Sequence, residues 1–127
     1  MKKILIVEDD AMNRDMLIDR LEWKGYHVVT ACDGAQGVRM AQSEHPDLIV
    51  MDIGLPIMNG WQATHQIKAT PQTRAIPIIM LTAYTLADDR KKSMSMGCDE
   101  FESKPLNFPR LLAKMHTLLE RSTLDKL

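Results

Sequence analysis

A chain of 127 residues with 45% hydrophobic side chains suits one compact domain and leaves no room for a second. Sixteen basic against seventeen acidic side chains give a formal net charge of -1, which excludes a global field drawing the protein to nucleic acid or to an anionic membrane. The apolar run Ile4–Val7 stops at Glu8-Asp9-Asp10, far short of a signal peptide, and no other stretch approaches membrane-spanning length, so a cytoplasmic protein is expected.

The first segment, Lys3–Val7, is short, apolar and β-branched, and is expected to form a strand. Helical spacing follows, with Met16, Leu17 and Leu21 on one side. His27–Ala31 is a second strand, and Ala35, Val38 and Ala41 mark a second helix. Leu48–Met51 is a third strand, and Gly60, Ala63 and Ile67 mark a third helix. Pro77–Leu81 is a fourth strand, followed by a weakly patterned helix over Thr85–Met96 and a weaker strand over Glu100–Ser103. The last helix carries one apolar stripe, Phe108, Leu111, Leu112, Met115, Leu118 and Leu119, behind the capping candidate Asn107. It is expected to end near Arg121, leaving 122–127 as a frayed tail with no output domain after it.

Strands alternating with helices at this spacing predict an α/β domain whose parallel sheet is covered on both faces, because parallel neighbours need right-handed crossover helices. Several other residues receive ordinary structural expectations. Cys32 and Cys98 lack metal-type spacing and are expected to be reduced, packed thiols. The ten methionines are expected to fill core gaps, Met16 among them, with Met12 available to a partner surface. Trp23 and Trp61 are expected to pack, the four histidines receive no role, and Arg90-Lys91-Lys92 is expected to be a solvated face.

Ligands of an open α/β sheet bind beyond the carboxyl ends of its strands. Those ends here carry Glu8-Asp9-Asp10, Asp52, Thr82 and Ser103-Lys104-Pro105. Asp10 is expected to cap the first helix, but Asp52 ends a buried run and opens no helix. Carboxylates about 4 Å apart repel by roughly 4 kcal/mol per pair at a surface-like dielectric, so the cluster calls for a cation. An all-oxygen set with few carboxylates suits Mg²⁺. Asp52 is then the candidate nucleophile toward phosphorus, with Lys104 as a point charge for the phosphoryl oxygens and Thr82 as a hydroxyl donor.

The motifs LIVEDD, LIVMDIGLPIMNG, IIMLTA and FESKP, in that order, closely resemble the receiver domain of two-component response regulators over roughly residues 2 to 121. The resemblance implies a flavodoxin-like, doubly wound sheet of order 2-1-3-4-5 and a receiver domain over 1–121. It implies that a sensor histidine kinase or histidine phosphotransfer protein donates from phosphohistidine to Asp52. It further implies direct Mg²⁺ ligation by Asp9, Asp52 and the Gly54 carbonyl, with Glu8 acting through water. Thr82 and Phe101 stand at the family's switch positions, and Lys104-Pro105 matches its cis peptide.

Two positions depart from or tune the family pattern. Phe101 replaces the common tyrosine, so no phenolic hydrogen bond can fix an inward ring, and Tyr84, two residues after Thr82, is expected to slow hydrolysis of the phosphoryl group. The expected readout is docking of a downstream protein on the fourth helix, fifth strand and fifth helix, with slow self-dephosphorylation and no turnover of external substrate. One alternative is a haloacid-dehalogenase-like phosphohydrolase, which usually needs an acid two residues after the nucleophile where this chain has Gly54. The other is a docking module that is never phosphorylated.

Overall fold

The computed structural model describes residues 1–83 and 87–125. The chain alternates strand and helix throughout: β1 Lys3–Val7, α1 Ala11–Trp23, β2 His27–Ala31, α2 Gly34–Glu44, β3 Leu48–Asp52, α3 Gly60–Ala69, β4 Ile78–Thr82, α4 Ala87–Ser95, β5 Glu100–Ser103 and α5 Phe108–Asp125. All five strands are parallel in one sheet of order β2-β1-β3-β4-β5, the expected flavodoxin-like arrangement.

The order of burial follows from this topology. β3 and β4 lie inside the sheet and are buried at every residue, which is why their sequences are continuous apolar runs rather than alternating ones. β2 and β5 are the edges and are only partly buried. One core, on the face with α1 and α5, joins Ile4, Ile6, Leu17, Leu21, Val50, Leu111 and Met115. The opposite core, under α2 and α3, joins Leu5, Val7, Ala41, Met51, Ala63, Ile67 and Met80. Successive side chains of each strand thus serve opposite cores.

Side-chain caps set the helix starts at the functional end of the sheet. Asp10 accepts from the Asn13 N–H at 3.1 Å, Asp33 from Gln36 at 2.7 Å, and Asn107 from Arg110 at 3.0 Å. Asn59 and Gln62 form a reciprocal capping box at the start of α3. With Asp10 committed to its helix, Glu8 and Asp9 remain for other work.

The structure corrects several sequence expectations. α5 continues to Asp125 rather than ending near Arg121, because no glycine or proline follows Leu119 to stop it. Trp23 is 87% exposed: it lies about 200° round α1 from the buried Leu21, on the side away from the sheet. Met16, next to the buried Leu17 and off the helix's inner stripe, is likewise exposed rather than core. Cys98 is a packed thiol as expected, but Cys32 is exposed just beyond β2. Tyr84 and Thr85 lie outside the described residues.

Gly60 opens α3 where no side chain fits. A Cβ there would lie 2.1 Å from the Asp52 carbonyl oxygen and 2.8 Å from the Ile53 Cα, both backbone atoms that cannot swing aside. Gly60→Ala is expected to destabilise the fold by ~1–3 kcal/mol, read from its urea unfolding curve. Trp23→Phe is expected to stay within about 0.5 kcal/mol of wild type in the same measurement, because its ring is bathed in solvent.

Candidate functional site

The register of the sheet places the strand ends side by side. Val7 pairs with Met51, so Glu8 and Asp9 leave β1 beside Asp52, the last residue of β3. Leu81 pairs with Asp52, which puts Thr82 one step further along β4, opposite Ser103. Lys104 follows at the end of β5, and its backbone N–H donates to the Thr82 carbonyl at 2.7 Å. The Lys104–Pro105 peptide is cis.

Carboxylate oxygens of Glu8, Asp9 and Asp52 all lie within 4.8 Å of one another. Glu8 is 2% and Asp52 8% exposed, whereas Asp9 faces solvent. Lys104 Nζ stands 3.3 Å from Glu8 Oε1 and 3.3 Å from Asp52 Oδ1, bridging the two buried acids. The main chain braces the group further. The Glu8 N–H donates to the Ala31 carbonyl at 3.1 Å, the Asp9 N–H to Glu8 Oε2 at 3.1 Å, and Arg14 Nη1 to the Glu8 carbonyl at 3.0 Å.

One ammonium does not balance this many acids. Burial, with the hydrogen bond to Asp52 and its charge, pushes the Glu8 carboxyl up to about 7 against the partial offset of Lys104. Burial opposes the charge on Lys104, but Asp52 and Glu8 together raise its ammonium above the ordinary lysine value. The site is therefore short of positive charge. An all-oxygen set of three carboxylates, one of them open to solvent as an entry path, fits a hard divalent cation.

Of the residues expected to act, Glu8, Asp9, Asp52 and Lys104 are brought together, and Thr82, 1% exposed, ends the neighbouring strand. Gly54 is exposed in the loop after Asp52. Phe101 is half-buried against the core under α3, with Lys114 Nζ donating to its carbonyl at 2.7 Å. Three contributors carry no sequence signal. Arg14 reaches the Glu8 carbonyl only because of how α1 leaves the sheet, and Arg110 and Lys114 of α5 clamp the buried Glu102 of β5 at 2.8 and 2.9 Å.

Residues 4–116 match the response regulator receiver domain, and the chain belongs to that family. It is similar to DivK, the polar-differentiation response regulator of Brucella ovis, with 34% identity over 118 residues that cover 93% of this chain and 96% of DivK. Among solved structures it resembles the receiver domain of a sensor histidine kinase from Pseudomonas aeruginosa PAO1, which holds a magnesium ion coordinated in its active-site cleft. That match has 34% identity and a TM-score of 0.87, over 94% of this chain and 98% of that one. A CheY-like receiver domain protein from Methanospirillum hungatei JF-1 matches at 30% identity with a TM-score of 0.91, over 98% of each chain.

The protein is thus a receiver domain of two-component signalling, and the haloacid-dehalogenase alternative is left without support. No helix among the described residues is long and apolar enough to cross a membrane.

The raised Glu8 value fixes a pH dependence for the metal-free protein. Between the ordinary carboxyl value of 4.5 and about 7, the folded state keeps a proton that the unfolded chain has lost, so stability falls as pH rises through that window. Thermal melts in EDTA are expected to show this decline from about pH 4.5 to about pH 7, and a shallower one in Glu8→Gln, which cannot ionise.

Proposed function

We propose that Asp52 accepts a phosphoryl group from the phosphohistidine of a sensor kinase or histidine phosphotransfer protein, in a Mg²⁺-dependent reaction. The observation that carries this reading is the nearly buried Asp52 carboxylate at the end of β3, with Lys104 Nζ at 3.3 Å and two further carboxylates within 4.8 Å. An Asp52 Oδ attacks phosphorus, the nitrogen–phosphorus bond breaks, and the imidazole leaves with that bond's electron pair to take up a proton. The product is an aspartyl phosphate.

Asp9, Asp52 and the Gly54 carbonyl would hold Mg²⁺ directly in this reading, with Glu8 acting through water. Bound Mg²⁺ supplies charge neutralisation between the nucleophile and the incoming phosphoryl oxygens. Lys104 is already within reach of Asp52 Oδ1 and turns from bridging two acids to holding a phosphoryl oxygen. The Thr82 hydroxyl donates to another, and that movement draws the half-buried Phe101 ring inward, altering the α4, β5 and α5 face for a downstream partner in the cytoplasm.

Incubation with acetyl phosphate is expected to give one phosphoryl adduct by intact-protein mass, requiring Mg²⁺ and absent in Asp52→Asn. An absence of adduct, from a phosphorylated kinase as well, would favour a docking module that is never phosphorylated. Lys104→Ala is expected to slow adduct formation by roughly 10²-fold, the scale for losing one preorganised charge-stabilising donor, measured as initial rate under the same conditions.

A further inference from the structure

The loop from Asp52 to α3 carries a feature that the phosphoryl site does not use. Gly60 N–H donates to the Ile53 carbonyl at 2.9 Å, and the Gly34 backbone approaches so close that a Cβ there would lie 1.8 Å from the Met58 carbonyl oxygen. Between these pins the chain reverses in three residues: Met58 N–H donates to the Pro56 carbonyl at 2.7 Å, with Ile57 between them at φ 69. A three-residue turn with positive φ is the rare, strained hand, and a β-branched residue is the worst suited to it. Nor does the side chain recover this cost by burial, since Ile57 is 85% exposed.

Ile57 stands at the mouth of a groove of about 560 Å³ between α3 and the end of α4, lined also by Met58, Trp61, His65, Lys92 and Met96. The groove is firmly built on one side. Trp61 Nε1 donates to the buried Ser93 Oγ at 2.9 Å, joining α3 to α4, and Lys92 Nζ lies over the Trp61 ring at 4.3 Å. Among the described residues no carboxylate lines it, and Lys92 gives it a positive charge. An apolar side chain held out in a strained turn, beside an indole with an ammonium over its ring, is matched by an apolar anchor next to an acid.

We infer that this groove docks an extended segment of a partner protein, which seats one bulky apolar side chain among Ile57, Trp61 and Met96 and sets a carboxylate against Lys92. The docking does not depend on phosphoryl chemistry at Asp52, so each stands or falls without the other.

The test uses ¹⁵N-labelled full-length Trp23→Phe protein, which leaves Trp61 as its one indole. The probes are two capped hexapeptides centred on Leu-Phe, one flanked by glutamates and one by lysines. The glutamate peptide is expected to shift the Trp61 indole and the Ile57 and Met96 amides, and to bind at least about fivefold more tightly than the lysine peptide. Lys92→Glu is expected to reverse that preference. Ile57→Asn, whose side chain tolerates this turn, is expected to melt no lower than the parent and to bind at least about fivefold more weakly. Equal binding of the two peptides, shifts confined to another face, no shift at millimolar peptide, or unchanged affinity in Ile57→Asn would each overturn the inference.

Discussion

Two buried carboxylates beside each other are the constraint around which this molecule is arranged. Glu8 and Asp52 are held nearly out of water at the ends of adjacent strands, where burial and the neighbouring acid raise the cost of ionising Glu8. Lys104 is the fold's partial answer, reaching 3.3 Å from each. It comes from the far edge of the sheet, so its grip ties β5 to β1 and β3 across the intervening β4. A site built this way is short of positive charge, and its all-oxygen set of acids fits a hard divalent cation.

The sheet makes such an arrangement tolerable. Strands packed between two cores cannot slide to relieve the repulsion, because a one-residue slip would turn every apolar side chain to the wrong core. The loops inherit that rigidity where glycines allow close approach. Gly60 lies against the Asp52 and Ile53 backbone, and Gly34 against Met58, so the loop after Asp52 is pinned at both ends and its strain collects at Ile57.

The other side of the site is linked differently. On β5, the buried Glu102 is clamped by Arg110 and Lys114 of α5, and the same lysine holds the Phe101 carbonyl. Phe101 thus lies on, and Lys104 directly follows, one short strand whose backbone is fastened to α5 and, through Lys104, to Thr82.

The sequence was enough to locate all five strands and their parallel pairing class, because short β-branched runs flanked by turn residues are a local signal. It was also enough to bring Glu8, Asp9, Asp52 and Lys104 together with Thr82 on the neighbouring strand, since each lies at or just beyond a strand end and strand ends of a parallel sheet share an edge. Tertiary structure alone decided which surfaces face water and which cation meets which anion. Trp23 and Met16 are exposed because α1 turns Leu17 and Leu21 inward, a rotation that hydrophobicity by itself does not specify. Lys104 reaches both buried acids, Arg14 the Glu8 carbonyl and Ile57 the solvent for the same reason. Those outcomes depend on distances between segments far apart in the chain, which only the packed sheet and its pinned loops define.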